Sequence, residues 1–211
     1  MEKEQVQKSI LELKQQPKRK FAQSYDLIIN LKNFDVKTHP LDFFITLPHP
    51  GKTIKVACFA DQQLMEQASK YCDLVIRETE FDSYKDKKKL KSLAEEYGYF
   101  IAQANLMPKV AMVFGKALGI KGKMPNPKLG CVVPPNANLE PLVKRLHSTV
   151  RLMAKKWTNL QCLAGKEDQP EEEVIANILA VYQATLKQVP NEQQNIKNCT
   201  LKFSMSKPVK I

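Results

Sequence analysis

The chain has 211 residues and a mass of 24.1 kDa, and its 43% hydrophobic residues suffice for a buried core, which excludes a disordered chain. Thirty-three Lys and Arg against 22 Asp and Glu leave a net charge of +11 and a pI near 9.4, a surface that attracts polyanions, nucleic acid first among them. The excess is spread out: +4 over residues 1–60, +4 over 61–149 and +3 over 150–211. There is no apolar run of bilayer length, the start of the chain is charged throughout, and the five cysteines show no CxxC spacing. A cytoplasmic protein with buried free thiols, and no membrane partner, is expected.

In chain order, Val6, Ile10 and Leu13 predict an amphipathic helix over residues 3–16, stopped by Pro17. Lys18-Arg19-Lys20-Phe21 follows as a basic turn ending in an aromatic. Tyr25, Leu27, Ile29 and Leu31 alternate with Asp26, Ile28, Asn30 and Lys32, the period of a strand. Phe43–Leu47 and Thr53–Ala60 read as two more strands around the turn Pro48-His49-Pro50-Gly51.

From residue 61 the rhythm becomes alternating helix and strand. Helices are expected over Gln62–Lys70, Asp86–Tyr97, Asn105–Leu118 and Asn138–Val150, the last with Leu139, Leu142, Val143, Leu146 and Val150 on one face. Strands are expected at Leu74–Ile76 and Tyr99–Gln103. This alternation implies βαβ units and a parallel sheet. Gly119–Pro135, with three glycines and four prolines, is expected to be a loop.

Beyond residue 150, Leu160–Ala164 reads as a strand, and Asp168 to Glu171 as a capping box with Pro170 in the first helical turn. The helix face would be Val174, Ile175, Ile178, Tyr182 and Leu186. The last segment sets Cys199, Leu201, Phe203 and Met205 on one side and Thr200, Lys202, Ser204 and Ser206 on the other. An α+β character at both ends around a βαβ middle points to one domain inserted into another: residues 1–60 with 150–211, and 61–149 between them.

Enzymatic chemistry finds no foothold. Gly51-Lys52-Thr53 has the tail of a phosphate-binding loop, but Thr46 stands where the leading glycine is needed. Gly115, Gly119 and Gly122 do not form the dinucleotide fingerprint, and His39, His49 and His147 lack metal-ligand spacing. No catalytic residue, metal or cofactor is expected. Two clusters suit nucleic acid instead: Lys18–Phe21, and the final strand with Lys202, Ser204 and Ser206 followed by Lys207. Cations and hydroxyls along one strand face suit phosphate and ribose contacts.

Four blocks in order along the chain then carry a resemblance. They are Leu47-Pro48-His49; the stretch from Leu106-Met107-Pro108 through Gly122-Lys123-Met124-Pro125-Asn126-Pro127-Lys128-Leu129-Gly130; Gly165-Lys166-Glu167-Asp168 with Glu172 and Asn177; and Phe203-Ser204-Met205-Ser206-Lys207-Pro208. The chain resembles the ribosomal protein L-one family, most of all its archaeal members. The resemblance implies an α/β fold in two parts: a split α+β RNA-binding domain and an inserted Rossmann-like three-layer domain without nucleotide. It implies a place on the large ribosomal subunit, binding of large-subunit rRNA at the stalk base beside other ribosomal components, and participation in release of deacylated tRNA from the exit site. It also implies repression of translation through binding of the protein's own mRNA.

Carried over by motif, RNA contacts fall at Phe21, Asp26, Ser204, Met205 and Ser206, beside the basic Lys18, Arg19, Lys20, Lys202 and Lys207. Lys121, Lys123 and Lys128 are expected to present charge from the Gly/Pro-rich loop to a tRNA or to the other domain. Two positions depart from the family pattern. Ser206 replaces a glycine, and Asp42-Phe43-Phe44 replaces arginine-glycine-threonine, removing a basic contact there. A non-ribosomal RNA-binding or ribosome-biogenesis factor on the same fold is the alternative reading.

Overall fold

The computed structural model describes residues 1–17, 19–51, 54–84 and 86–211. In chain order the elements are α1 (Lys3–Lys14), β1 (Ser24–Leu31), β2 (Leu41–Thr46), β3 (Val56–Ala60), α2 (Gln62–Tyr71), β4 (Leu74–Arg77), α3 (Lys87–Glu96) and β5 (Tyr99–Gln103). There follow α4 (Met107–Lys121), β6 (Val132–Val133), α5 (Glu140–Ser148), β7 (Thr149–Ala154), β8 (Asn159–Lys166), α6 (Glu171–Gln188), β9 (Ile196–Phe203) and β10 (Val209–Lys210). They form two units, Met1–Lys52 with Ser148–Ile211, and Thr53–His147. Among the described residues no helix is long and apolar enough to cross a membrane.

The first unit is an antiparallel sheet in the order β10-β9-β1-β8, with a separate ribbon of β2 and β7. Alternation along β1 buries Tyr25, Leu27, Ile29 and Leu31, while Ser24, Asp26, Ile28 and Asn30 on the other face stay half-buried. The buried set packs with Val6, Ile10 and Leu13 of α1 and with Val174, Ile175, Ile178 and Val181 of α6. Ile45 of β2 and Leu152 and Ala154 of β7 join the same core. Each fully buried aliphatic or aromatic side chain contributes about 1.5–3 kcal/mol through removal from water.

The second unit is a parallel sheet ordered β4-β3-β5-β6. All five residues of β3 are buried, as in a strand covered on both faces. On one side Phe59 meets Phe100 at 5.9 Å and Phe114 of α4 at 4.7 Å, with Leu93 of α3 in the same cluster. Elsewhere in the unit α2 and α5 are tied together by Tyr71 Oη donating to Glu140 at 3.0 Å. Doubly wound α/β architecture, inserted into an α+β unit, is therefore the fold.

Several local expectations change. The boundary lies earlier than residue 60, because β3 pairs with both β4 and β5 and so belongs to the inserted unit. Thr53, expected to start that strand, lies outside the described residues. Val150 is not on α5: the helix ends at Ser148, and Thr149–Ala154 pairs with β2, its period-2 side chains Leu152 and Ala154 buried. Gly119–Pro135 is only partly loop. Helix α4 runs to Lys121 and closes on Gly122 at φ 65°, with Lys123 N donating to Leu118 O at 2.8 Å. Val132–Val133 then adds a fourth parallel strand, too short to show a period. The capping box at Asp168 does not form; Pro170 itself holds the cap position, and Gln169 Oε1 accepts from Lys166 N at 2.9 Å.

Candidate nucleic-acid interface

Strand β1 enters the sheet at Ser24, and the chain's last segment turns at the same end, after Phe203. Asp26 of β1 stands opposite Lys202 of β9 in the ladder, so the structure brings together two residues 176 positions apart. A bulge in β8 follows between Tyr25 and Asp26, with Ala164 as the extra residue opposite them. Burial raises the Asp26 carboxyl above its ordinary pKa, and the Lys202 ammonium works against that rise. An acceptor and a donor thus sit side by side on the half-exposed face.

Ser204, Met205 and Ser206 do not continue the strand, as alternation suggested; β9 ends at Phe203 and they form the turn beyond it. Met205, expected on the core side, is 62% exposed. The Ser206 hydroxyl faces inward, accepting from Phe203 N at 2.8 Å and donating to Lys207 O at 3.1 Å. Ser206 therefore closes the turn, and the side-chain oxygen offered at its surface comes from Ser204, which accepts from Ser24 N at 3.3 Å. Tyr25 and Phe203 pack beneath, ring centroids 4.6 Å apart. Burial, with Glu171 and Glu167 adding to it, pushes the Tyr25 phenol up to about 12, so it serves as a neutral core group.

Two glutamines outside the expected set hold this rim together. Gln16 Oε1 accepts from Lys207 N at 3.0 Å, and its Nε2 donates to Lys207 O at 3.3 Å. Gln23, 3% exposed, accepts from Met205 N at 3.2 Å through Oε1. Its backbone exchanges two hydrogen bonds with Glu167: Gln23 N donates to Oε2 at 3.0 Å, and Glu167 N donates to Gln23 O at 2.8 Å. Arg19, Lys20 and the 50%-exposed Phe21 thus lie in sequence between two residues, Gln16 and Gln23, that are each hydrogen-bonded to the C-terminal turn. Lys18, part of the expected basic turn, lies outside the described residues. A lone polar residue in a basic segment carries no periodic signal, which is why sequence patterning passes over Gln16 and Gln23.

The lysines of the Gly/Pro-rich segment have other work. Lys123 Nζ donates to Ala94 O and Tyr97 O, both at 2.7 Å, satisfying carbonyls at the end of α3. Lys121 lies in α4 and pairs with Glu95 at 3.3 Å. Lys128 is exposed, as Lys121 is, and lies in the turn Pro127–Leu129. Of the three lysines expected to present charge, Lys123 instead turns its ammonium onto backbone carbonyls, while Lys121 and Lys128 stay exposed.

The Asp42-Phe43-Phe44 departure also reads differently in three dimensions. Arg151 of β7 donates to Asp42 through Nε and Nη2, each at 2.7 Å, and its guanidinium lies 5.5 Å from the Phe44 ring centroid. Lys155 adds a contact to Asp42 at 2.9 Å. A cation does stand on this ribbon, supplied by the facing strand. Arg151 first, with Lys155, holds the Asp42 carboxyl down at about 2 against the opposing effect of burial.

The model of the ribosomal protein L1p/L10e family matches residues 13–207 of the chain. The large ribosomal subunit protein uL1 of Nanoarchaeum equitans is 37% identical over 199 residues, covering 92% of this chain and 93% of the relative. The protein of the same description from Methanothermococcus thermolithotrophicus is 37% identical over 216 residues, covering 100% and 99%. That from Methanococcus vannielii is 39% identical over 211 residues, covering 97% and 96%.

Proposed function

The chain belongs to the ribosomal protein L1p/L10e family, and from that premise we propose that it is a structural, non-enzymatic component of the large ribosomal subunit that grips large-subunit rRNA at the stalk base with the rim of its first unit. The observation that carries this reading is the tying of Gln16 to Lys207 and of Gln23 to Met205 on either side of Arg19, Lys20 and Phe21, beside the Asp26–Lys202 pair. Arg and Lys supply charge for phosphates. Phe21 and Met205 give exposed apolar faces for a base or ribose, and Asp26 and Ser204 offer acceptors to 2′-hydroxyl or base N–H donors. The grouping favours a folded RNA over a random polyanion, because the turn that carries Ser204 and Met205 is fixed by hydrogen bonds.

The same rim would take a similar fold in the protein's own mRNA and so repress its translation. Release of deacylated tRNA from the exit site would engage the second unit through Lys128. The test is titration of the full chain with a stalk-base rRNA fragment, alongside sedimentation with large subunits through a high-salt wash. Specific binding that weakens steeply with salt supports the reading. Equal affinity for any RNA of the same length, with loss from subunits in the wash, would overturn it.

A further inference from the structure

Trp157, the single tryptophan of the chain, is 76% exposed. It lies in the four-residue connection Lys155–Thr158 between β7 and β8, where Ala154 and Leu160 close the core without it. Burying an indole is strongly favourable, so one left outside between Lys155, Lys156 and Thr158 has no part in holding the unit together. The connection is nonetheless fixed. Leu31 N donates to Thr158 O at 2.7 Å, Lys155 rests on Asp42 at 2.9 Å, and Asn195 Nδ2 donates to the carbonyls of Lys32 and Asn33 at 3.2 and 3.1 Å. Lys32, Lys155 and Lys156 therefore gather with Trp157 at the Leu31 end of β1, while the rim described above stands at its Ser24 end.

An exposed aromatic face among cations carried on a hydrogen-bonded backbone is the arrangement that stacks a base and neutralises the phosphates on either side of it. The charge here is cationic overall, with Asp42 the carboxylate drawn into the group. We infer that the β7–β8 connection is a second RNA contact, in which an unpaired base stacks on Trp157 while Lys32, Lys155 and Lys156 hold the neighbouring backbone. This inference rests on the rRNA reading of the rim and extends it. The eight residues of β1 separate the two contacts by about 25 Å. The RNA would thus span the sheet and end in a single-stranded nucleotide.

Because Trp157 is the only tryptophan, its emission reports this contact directly. The full chain is titrated with two labelled probes: a stalk-base rRNA fragment trimmed to its folded part, and the same fragment with an unpaired uridine tail at either end. Label anisotropy gives affinity and tryptophan emission gives stacking. The tailed RNA is expected to quench Trp157 and to bind about tenfold more tightly than the trimmed one; Trp157→Ala removes that tenfold and Trp157→Phe keeps most of it. Equal binding of both RNAs with unchanged emission overturns the second contact and leaves the rim reading standing. Failure of both RNAs to bind by anisotropy overturns the rim reading and this one with it. If Trp157→Ala leaves RNA affinity unchanged but weakens sedimentation with large subunits, the connection meets a protein, and the inference is equally overturned.

Discussion

Asn177, fully buried in α6, is hydrogen-bonded to both the amide and the carbonyl of His49, 128 residues earlier in the chain. Its Oδ1 accepts from His49 N at 3.0 Å, and its Nδ2 donates to His49 O at 2.6 Å and to Ala164 O at 2.8 Å. One side chain thus satisfies the Pro48-His49-Pro50 turn and the carbonyl of the residue that bulges out of β8. Nearby, a Cβ on Gly51 would come within 2.5 Å of Gln169 Oε1 and 2.9 Å of Gly165 Cα, so the two backbones approach as only glycines allow. Replacement of Asn177 by Leu strands the buried carbonyl of Ala164 and the two part-buried backbone groups of His49, and a loss of about 1–3 kcal/mol is expected in urea unfolding of the first unit.

In the proposed interface Gln23 works through the Met205 backbone and offers no group of its own. Gln23→Ala is expected to speed hydrogen exchange at the Met205 amide and to lower affinity for the stalk-base fragment by about tenfold, with little change in melting temperature. An unchanged affinity with faster exchange would show that the rigidity of the turn is immaterial to binding.

The two serines of the turn should separate cleanly. Ser204→Leu places a bulky side chain on the exposed rim, and a loss of RNA affinity by about 1–3 kcal/mol is expected with stability retained. Ser206→Ala removes the acceptor for Phe203 N, and its effect of about 1 kcal/mol should appear in unfolding.

Asp42 titrates at about 2 in the folded chain, below the roughly 3.9 of an unfolded aspartate. A depressed carboxylate contributes stability above the unfolded pKa and loses it as pH falls through the folded one, so this contribution fades between about pH 4 and 2. Arg151→Ala is expected to return the Asp42 carboxyl resonance toward the ordinary range and to flatten the stability profile in that window. The pair is partly exposed, so the effect should shrink in high salt.

Thr46 and Thr149 are partners in the β2–β7 ladder, and Leu47 N donates to Ser148 O at 2.7 Å, so the chain leaves and re-enters the first unit at adjacent points. Joining Gly51 to Ser148 with a short glycine linker is expected to leave a folded first unit that keeps most of the affinity for the rRNA fragment. Affinity residing instead in residues 53–147 alone would reverse the proposed division of labour.

Legibility of the sequence followed the strength of its periods. Tyr25-Leu27-Ile29-Leu31 and Val6-Ile10-Leu13 each bury one clean face, and both elements stand where their alternation put them. Val132–Val133 is held by neighbours rather than by its own pattern, and Val150 fits a helical spacing by coincidence while pairing in β7. Charge revealed Arg19, Lys20, Lys202 and Lys207 as surface groups but not that Lys123 spends its ammonium on the end of α3. Gln16 and Gln23 were illegible, and Asn177 entered only as part of a motif, because a side-chain amide takes its meaning from the backbone it meets, and that backbone lies far away in sequence.

The interleaving of the two units sets an order on synthesis. The sheet and helices of the second unit draw only on residues 53–147, so it has every partner it needs once His147 has left the exit tunnel. Strand β1, made earlier, must wait for Asn159–Lys166 to cover one edge and for Ile196–Phe203 to cover the other. During that interval a nascent chain carries a finished domain beside an apolar strand with open hydrogen-bonding edges, the kind of surface that chaperones shield. The first unit is thus begun before the second and completed after it, and the rim proposed to grip RNA has to wait for residues 202–207.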